Sequence, residues 1–193
     1  MSEAGLLHHP WINRFKLDVH DFHRMGEAGI LGPEDRVELI EGELVQMAPI
    51  GAAHAGTTLG LNRRLSLALG ERAFVAVQNP VRLGEESEPQ PDIAVLRPRA
   101  DDYRSEHPTP ADILLLIEVA DSSLRLDRQV KLPLYARHGI PEVWIVDLAG
   151  GAVELCRGPG PGGYARIARA GRGEAVQPEA LPDVTLAVAD ILG

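Results

Sequence analysis

Two carboxylates and one amine carry the chemistry this sequence offers. Asp92 opens the run PDIAVL, and Glu118 lies near the end of ILLLIEV, so each acid borders a strand-like apolar stretch. Burying an ionised carboxylate there is costly unless it is paired, hydrogen-bonded or holding a metal. Lys131 follows on the next periodic segment. Of the 19 basic side chains only Lys16 and Lys131 are lysines, and a compact ammonium has uses that arginine's planar fork does not. Hard divalent cations take carboxylate oxygens, and magnesium keeps positions open for water and phosphate. Asp92 and Glu118 are therefore expected to hold such an ion. Lys131 is expected to orient or help deprotonate a water, or to offset transition-state charge. That is metal-dependent hydrolysis of a phosphate ester. A serine elbow and a Cys-His pair are both absent, and GPGPGG lacks the Lys-Ser/Thr and the helix of a phosphate loop.

The elements that must position these groups read as follows. Asp18 caps a helix running to about Ala28 with Gly29 as its stop. His20 and His23 lie three apart on it, and with no third ligand signposted they read as surface histidines. VELIEGELVQ predicts a hairpin turning at Glu41-Gly42, with Glu38, Ile40, Glu43 and Val45 on one face. Either Glu38 or Glu43 adds a carboxylate to the site, or both are solvated edge acids. Residues 54–70 predict a helix with Leu61, Leu65, Ala68 and Leu69 inward. His54 at its start either reaches a ligand or caps the helix. AFVAVQNPVRL reads as a strand broken at Asn79-Pro80, PDIAVL as a buried strand, and residues 98–112 as a polar loop, functional or mobile. ILLLIEV is the central strand by apolar density. A helix from about Asp127 to His138 puts Asp127, Lys131, Tyr135 and His138 on one face beside a Val130–Leu134 stripe, and Pro133 should kink or divide it. Tyr135 reads as a core aromatic with a hydrogen-bonded hydroxyl. VWIVDL returns as a buried strand, followed by a peripheral hairpin and a final strand or helix. Glu118 could instead be neutralised by Arg125 or Arg128.

With 193 residues, 45% of them hydrophobic, and no internal repeat, the chain is expected to form a single domain, 1–193. No apolar run is long enough for a membrane span, the opening MSEAGLLHHPW shows no secretory leader, and the single Cys156 suits a reducing cytoplasm. A net charge of −9 argues against promiscuous nucleic-acid binding, so DNA contact needs a local basic patch or bound divalent metal.

In order and spacing, VELIEGELV with Pro49, His54, PDIAV, IEVADSS, Asp127, Lys131, Tyr135, Gly139 and EVWIVD resemble the Uma-type restriction endonuclease family, a branch of the PD-(D/E)XK nuclease superfamily. The resemblance runs from about Asp18 to the C-terminus. It implies an α/β (α+β) fold, a restriction-endonuclease-like mixed sheet flanked by helices with an N-terminal helix and hairpin. It further implies one or two Mg2+ ions, with Mn2+ as a substitute, and DNA as substrate. Asp92 would take the motif's aspartate and Glu118 its second acid. Where the superfamily keeps lysine, this chain has Ala120, and Lys131 would supply the displaced amine, with Gln129 as the alternative. Glu38 or Glu43 would complete the metal shell. Cutters of duplex DNA are commonly symmetric dimers, so a homodimer is expected. The competing class is a nuclease-fold module that binds or assembles without cutting.

Overall fold

The computed structural model describes residues 13–32 and 34–193; the opening stretch read for a leader lies outside them. Helix α1 (Val19–Glu27) is capped by Asp18, whose side chain accepts from the Asp21 N–H. The hairpin β1 (Val37–Ile40) and β2 (Glu43–Gln46) has the expected register, Glu38 opposite Val45 and Ile40 opposite Glu43. Its turn residues Glu41 and Gly42 both have positive φ, 49° and 78°, as a tight primed turn demands. A Cβ at Gly42 would also collide with Lys16, so that position has two reasons to be glycine.

Helix α2 (Ala52–Leu69) follows, then β3 (Phe74–Val77), β4 (Ile93–Leu96) and β5 (Ile113–Ala120). A helical run in three pieces comes next: α3 (Leu124–Leu126), a π turn (Asp127–Lys131) and α4 (Leu132–Arg137). The chain ends with β6 (Glu142–Asp147), β7 (Ala152–Gly160), β8 (Gly163–Gly171), the short pair β9 (Ala175–Val176) and β10 (Leu186–Ala187), and α5 (Val188–Leu192).

Strands β3 to β8 form one six-stranded sheet in sequence order. It is mixed: β5 and β6 are parallel and every other pair is antiparallel. The parallel pair requires a crossover, and the helical run supplies it. Strand β5 is buried along its whole length because both faces are covered. On one face Ile93, Leu115, Ile117 and Trp144 pack against Leu61, Leu65 and Leu69 of α2 and Val188 and Ile191 of α5. On the other Ala94, Leu116, Ala120 and Ile145 pack against Leu132, Leu134 and Tyr135 of α4 and Ile40 of the hairpin.

Two local expectations need correction. Ala68 is exposed, since the buried stripe of α2 steps by four through Leu61, Leu65 and Leu69. Val130 is also exposed, at 37%, so the Leu134 stripe does not extend back through the π turn. The helix is divided beside Pro133, as expected. The Leu132 N–H reaches back five residues to the Asp127 carbonyl, and Pro133 falls in the first turn of α4, where a missing N–H costs least. The 98–112 loop is knit together by Arg99, which binds Asp101 through two nitrogens and lies 4.3 Å from the Tyr103 ring.

Candidate active site

A cavity opens where β4 begins and β5 ends, and its walls include Glu38, His54, Asp92, Glu118, Asp127 and Lys131. Ile93 pairs with Ile117, so the next rung outward brings Asp92 level with Glu118. Glu118 has the parity of Leu116 and Ala120, which packs its side chain on the face covered by the helical run. From that run Lys131 reaches in, 95% hidden from solvent, with Nζ 3.1 Å from Glu38 Oε2 and 3.4 Å from Glu118 Oε1. Tyr135, one turn on, donates its hydroxyl to Glu118 Oε1 at 2.5 Å. Position 120 is alanine, and the ammonium beside Glu118 arrives from the helix opposite.

Asp92 is held by three donors: the Val119 N–H at 2.8 Å and His54 Nε2 at 3.0 Å on Oδ2, and the Gln78 amide at 3.2 Å on Oδ1. Burial would raise its pKa, but these hydrogen bonds and the His54 charge outweigh burial and hold the carboxyl below its ordinary value. The bond to Asp92 raises His54 in turn, against the opposing effect of burial. Glu118 is different. Full burial pushes it well above the usual carboxylate range, and the charges of Asp127 and Asp92 push further, against Lys131 and Tyr135. For Lys131 burial acts downward, yet Glu118 and Glu38 more than compensate, and the ammonium is held charged. Asp127 is raised, mainly by burial, although Ser123 donates to its Oδ2 at 2.7 Å.

The donor set suits a hard cation. Five carboxylates, those of Glu38, Asp92, Glu118, Asp121 and Asp127, line the cavity with the basic groups of Lys131, Arg36 and His54, so acids outnumber bases. Glu38, Glu118 and Asp127 each engage one oxygen and leave Oε1, Oε2 and Oδ1 with no hydrogen bond among the described residues. All three residues line the cavity. The acids do not converge as a trio, however. Among the described residues, the only three His, Asp or Glu side chains with ligand atoms within 4.8 Å of one another are His23, Glu88 and His107, elsewhere in the fold. Magnesium needs less, since it is commonly held by one or two carboxylates with waters completing the shell.

The remaining expected residues are distributed unevenly. The hairpin places Glu38 inside, 1% exposed, with Oε2 on the Gln90 N–H as well as Lys131. Glu43 is outside the cavity, its side chain half exposed against Arg14. Gln129 is exposed and bonded to Arg125. Neither Arg125 nor Arg128 neutralises Glu118: Arg128 binds Glu154 and Asp147 instead. Sequence reasoning did not single out Gln78, nor Asp127 as a wall of the cavity. The coincidence of Asp127 with Lys131 one helical turn later was the available signal for the second; nothing local marked the first.

Among solved structures, one described as "a putative nuclease belonging to DUF820" from Anabaena variabilis ATCC 29413 superposes with a TM-score of 0.71. It is 15% identical, and the match covers 91% of this chain and 97% of that one, a likeness of fold. No curated protein matches the sequence. The family model Uma2, "Putative restriction endonuclease", matches residues 19–189, which takes in the cavity and every strand of the sheet, and the chain belongs to that family.

Proposed function

We propose that the chain acts as a single-domain, magnesium-dependent endonuclease, with manganese as a substitute, that hydrolyses DNA phosphodiester bonds in this cavity. The supporting observation is the buried Lys131 ammonium wedged between Glu38 and Glu118 beside an oriented Asp92. A structural salt bridge would require one acid; here the ammonium faces several, with carboxylate oxygens left over. Asp92 and Glu118 would hold the ion, which when bound polarises a phosphoryl oxygen and lowers the pKa of a ligated water. Three donors fix Asp92 and still leave roughly one lone-pair site of a carboxylate's four. Glu38 keeps Lys131 in position through Oε2 and would offer Oε1 to complete the ion's shell. Because Lys131 stays charged, its part is to stabilise negative charge on the phosphate in the transition state, not to remove a proton. Tyr135 orients Glu118 and His54 steadies Asp92. Gln129 has no part. A symmetric dimer would present two such sites to two strands. No helix among the described residues is long and apolar enough to cross a membrane, and the buried Cys156 is compatible with work in the cytoplasm.

The test is nicking of supercoiled plasmid in Mg2+ or Mn2+. Asp92→Ala, Glu118→Ala and Lys131→Met proteins that remain folded should each lose at least ~100-fold in rate. A non-cutting binding module is the second reading, and the lack of a converged carboxylate trio is what favours it. Plasmid left intact across both ions and several DNA forms would establish that reading instead.

A further inference from the structure

His23, Glu88 and His107 come from three separate parts of the chain: helix α1, the segment between β3 and β4, and the 97–112 loop. One ligand atom from each lies within 4.8 Å of the other two, and His23 Nε2 stands 2.8 Å from Glu88 Oε1. None of the three lines the carboxylate cavity. A lone surface ion pair does not account for the group. Glu88 is only 2% exposed, and its second oxygen, Oε2, is sealed from solvent with no hydrogen-bond partner. One histidine answers one carboxylate oxygen, so a buried anion is left half satisfied, a costly arrangement that calls for a cation. The carboxylate is also firmly positioned, because the Glu88 N–H donates to the Leu39 carbonyl at 2.8 Å. The His107 ring meets the His23 ring edge-on, with centroids 6.0 Å apart.

We propose that these residues form a second metal site, for a borderline transition ion of the Zn2+ class, distinct from the magnesium cavity. Two imidazoles select against Mg2+, which prefers oxygen throughout, and favour zinc-like ions. Ligands of a tetrahedral zinc lie ~3.3 Å apart, given bond lengths of ~2.0 Å. Closing the difference from 4.8 Å would fall to rotation of the two histidine side chains. The side chain of His23 is 45% exposed, so the site meets the surface and a fourth position falls to water. The ion would pin α1 and the 97–112 loop to Glu88, which is itself laced to β1, the strand that carries Glu38.

The experiment is calorimetric titration of Zn2+ into the full chain and into an Asp92→Ala/Glu118→Ala chain that silences the cavity. Both should bind one equivalent at the new site. His23→Ala and His107→Ala, which alter exposed side chains and should fold, should each weaken that binding at least ~10-fold. His20→Ala, its neighbour on α1, should not. Co2+ in place of Zn2+ should give the intense visible absorption of a tetrahedral centre. The proposal is overturned by zinc affinity within ~3-fold of the parent in both histidine variants. It is equally overturned if no zinc binds, if zinc binding is lost with Asp92 and Glu118, or if cobalt shows only the weak bands of octahedral coordination.

Discussion

Gln78 adopts a φ of 52°, a left-handed conformation that costs a non-glycine residue on the order of 1 kcal/mol. Its backbone N–H binds the Asp92 carbonyl and its side chain binds the Asp92 carboxylate. Strain at this position thus accompanies the anchoring of the acid. In Gln78→Gly, relief of strain and the added freedom of the unfolded chain roughly offset. Thermal melts should stay within ~1 kcal/mol of the parent while plasmid nicking falls about 10-fold. Glu118 tests the opposite balance. Its folded pKa is raised, so the folded chain binds more protons than the unfolded chain between the ordinary carboxylate value and the raised one. Stability therefore falls as pH rises through that window. Without metal, Glu118→Gln should melt above the parent at pH 8 and converge with it near pH 4. An equal or lower melt at pH 8 would mean that the Lys131 pairing already repays the burial of this charge. At this scale Asp92, Glu118 and Lys131 were legible in the sequence because charge inside apolar or periodic runs needs a reason. The choice between Glu38 and Glu43 was not, since hairpin register puts both on one ribbon face and only packing against the sheet end separates them.

Elements were legible wherever periodicity and punctuation agreed. Asp18 and Gly29 bracket α1, Glu41-Gly42 turns the hairpin, and the apolar run ILLLIEVA became the all-buried β5. The π turn was not legible. Pro133 announces a disturbance, but whether it appears as a kink, a break or a wider turn depends on what the helical run packs against. Here Asp127 and Lys131, which their spacing already puts on one face, begin and end the wide turn, and Pro133 falls in the first turn of the α segment that follows. Removing one residue would turn the five-residue hydrogen bond from Leu132 to Asp127 into a four-residue one and leave Asp127 on nearly the same face, so the acid is better tested by substitution. Asp127→Ala should leave Lys131 and Tyr135 seated. Nicking should drop at least ~10-fold, with the far-ultraviolet circular dichroism of the parent retained. Parental rates would show that Asp127 is a packing feature only. His23 shows the same limit on sequence reading: the helix was foreseeable, but its partners Glu88 and His107 come from distant segments that no local pattern joins.

Across the whole molecule the fold class was legible as a mixed sheet between helices, and the charge balance constrains how such a molecule could meet DNA. A net charge of −9 opposes approach to phosphate, and the cavity adds acids rather than relieving them. Arg36 joins Lys131 among the basic groups on its walls, and Lys131 is already engaged by Glu38 and Glu118. Binding through released counterions needs several free basic contacts, which the described walls of the cavity do not concentrate. Divalent cation must then supply the missing positive charge, and DNA affinity should depend on metal before cleavage begins. Fluorescence anisotropy with a labelled duplex in about 50 mM salt should detect little binding in EDTA and at least ~10-fold tighter binding in Ca2+, which can bridge carboxylate and phosphate. The gain should disappear in the Asp92→Ala/Glu118→Ala chain, whose net charge is less negative by two. A purely electrostatic surface effect predicts the reverse, because that chain repels DNA less. If the double variant binds more tightly than the parent in Ca2+, the metal is screening the surface at large and the cavity is not where the phosphate docks.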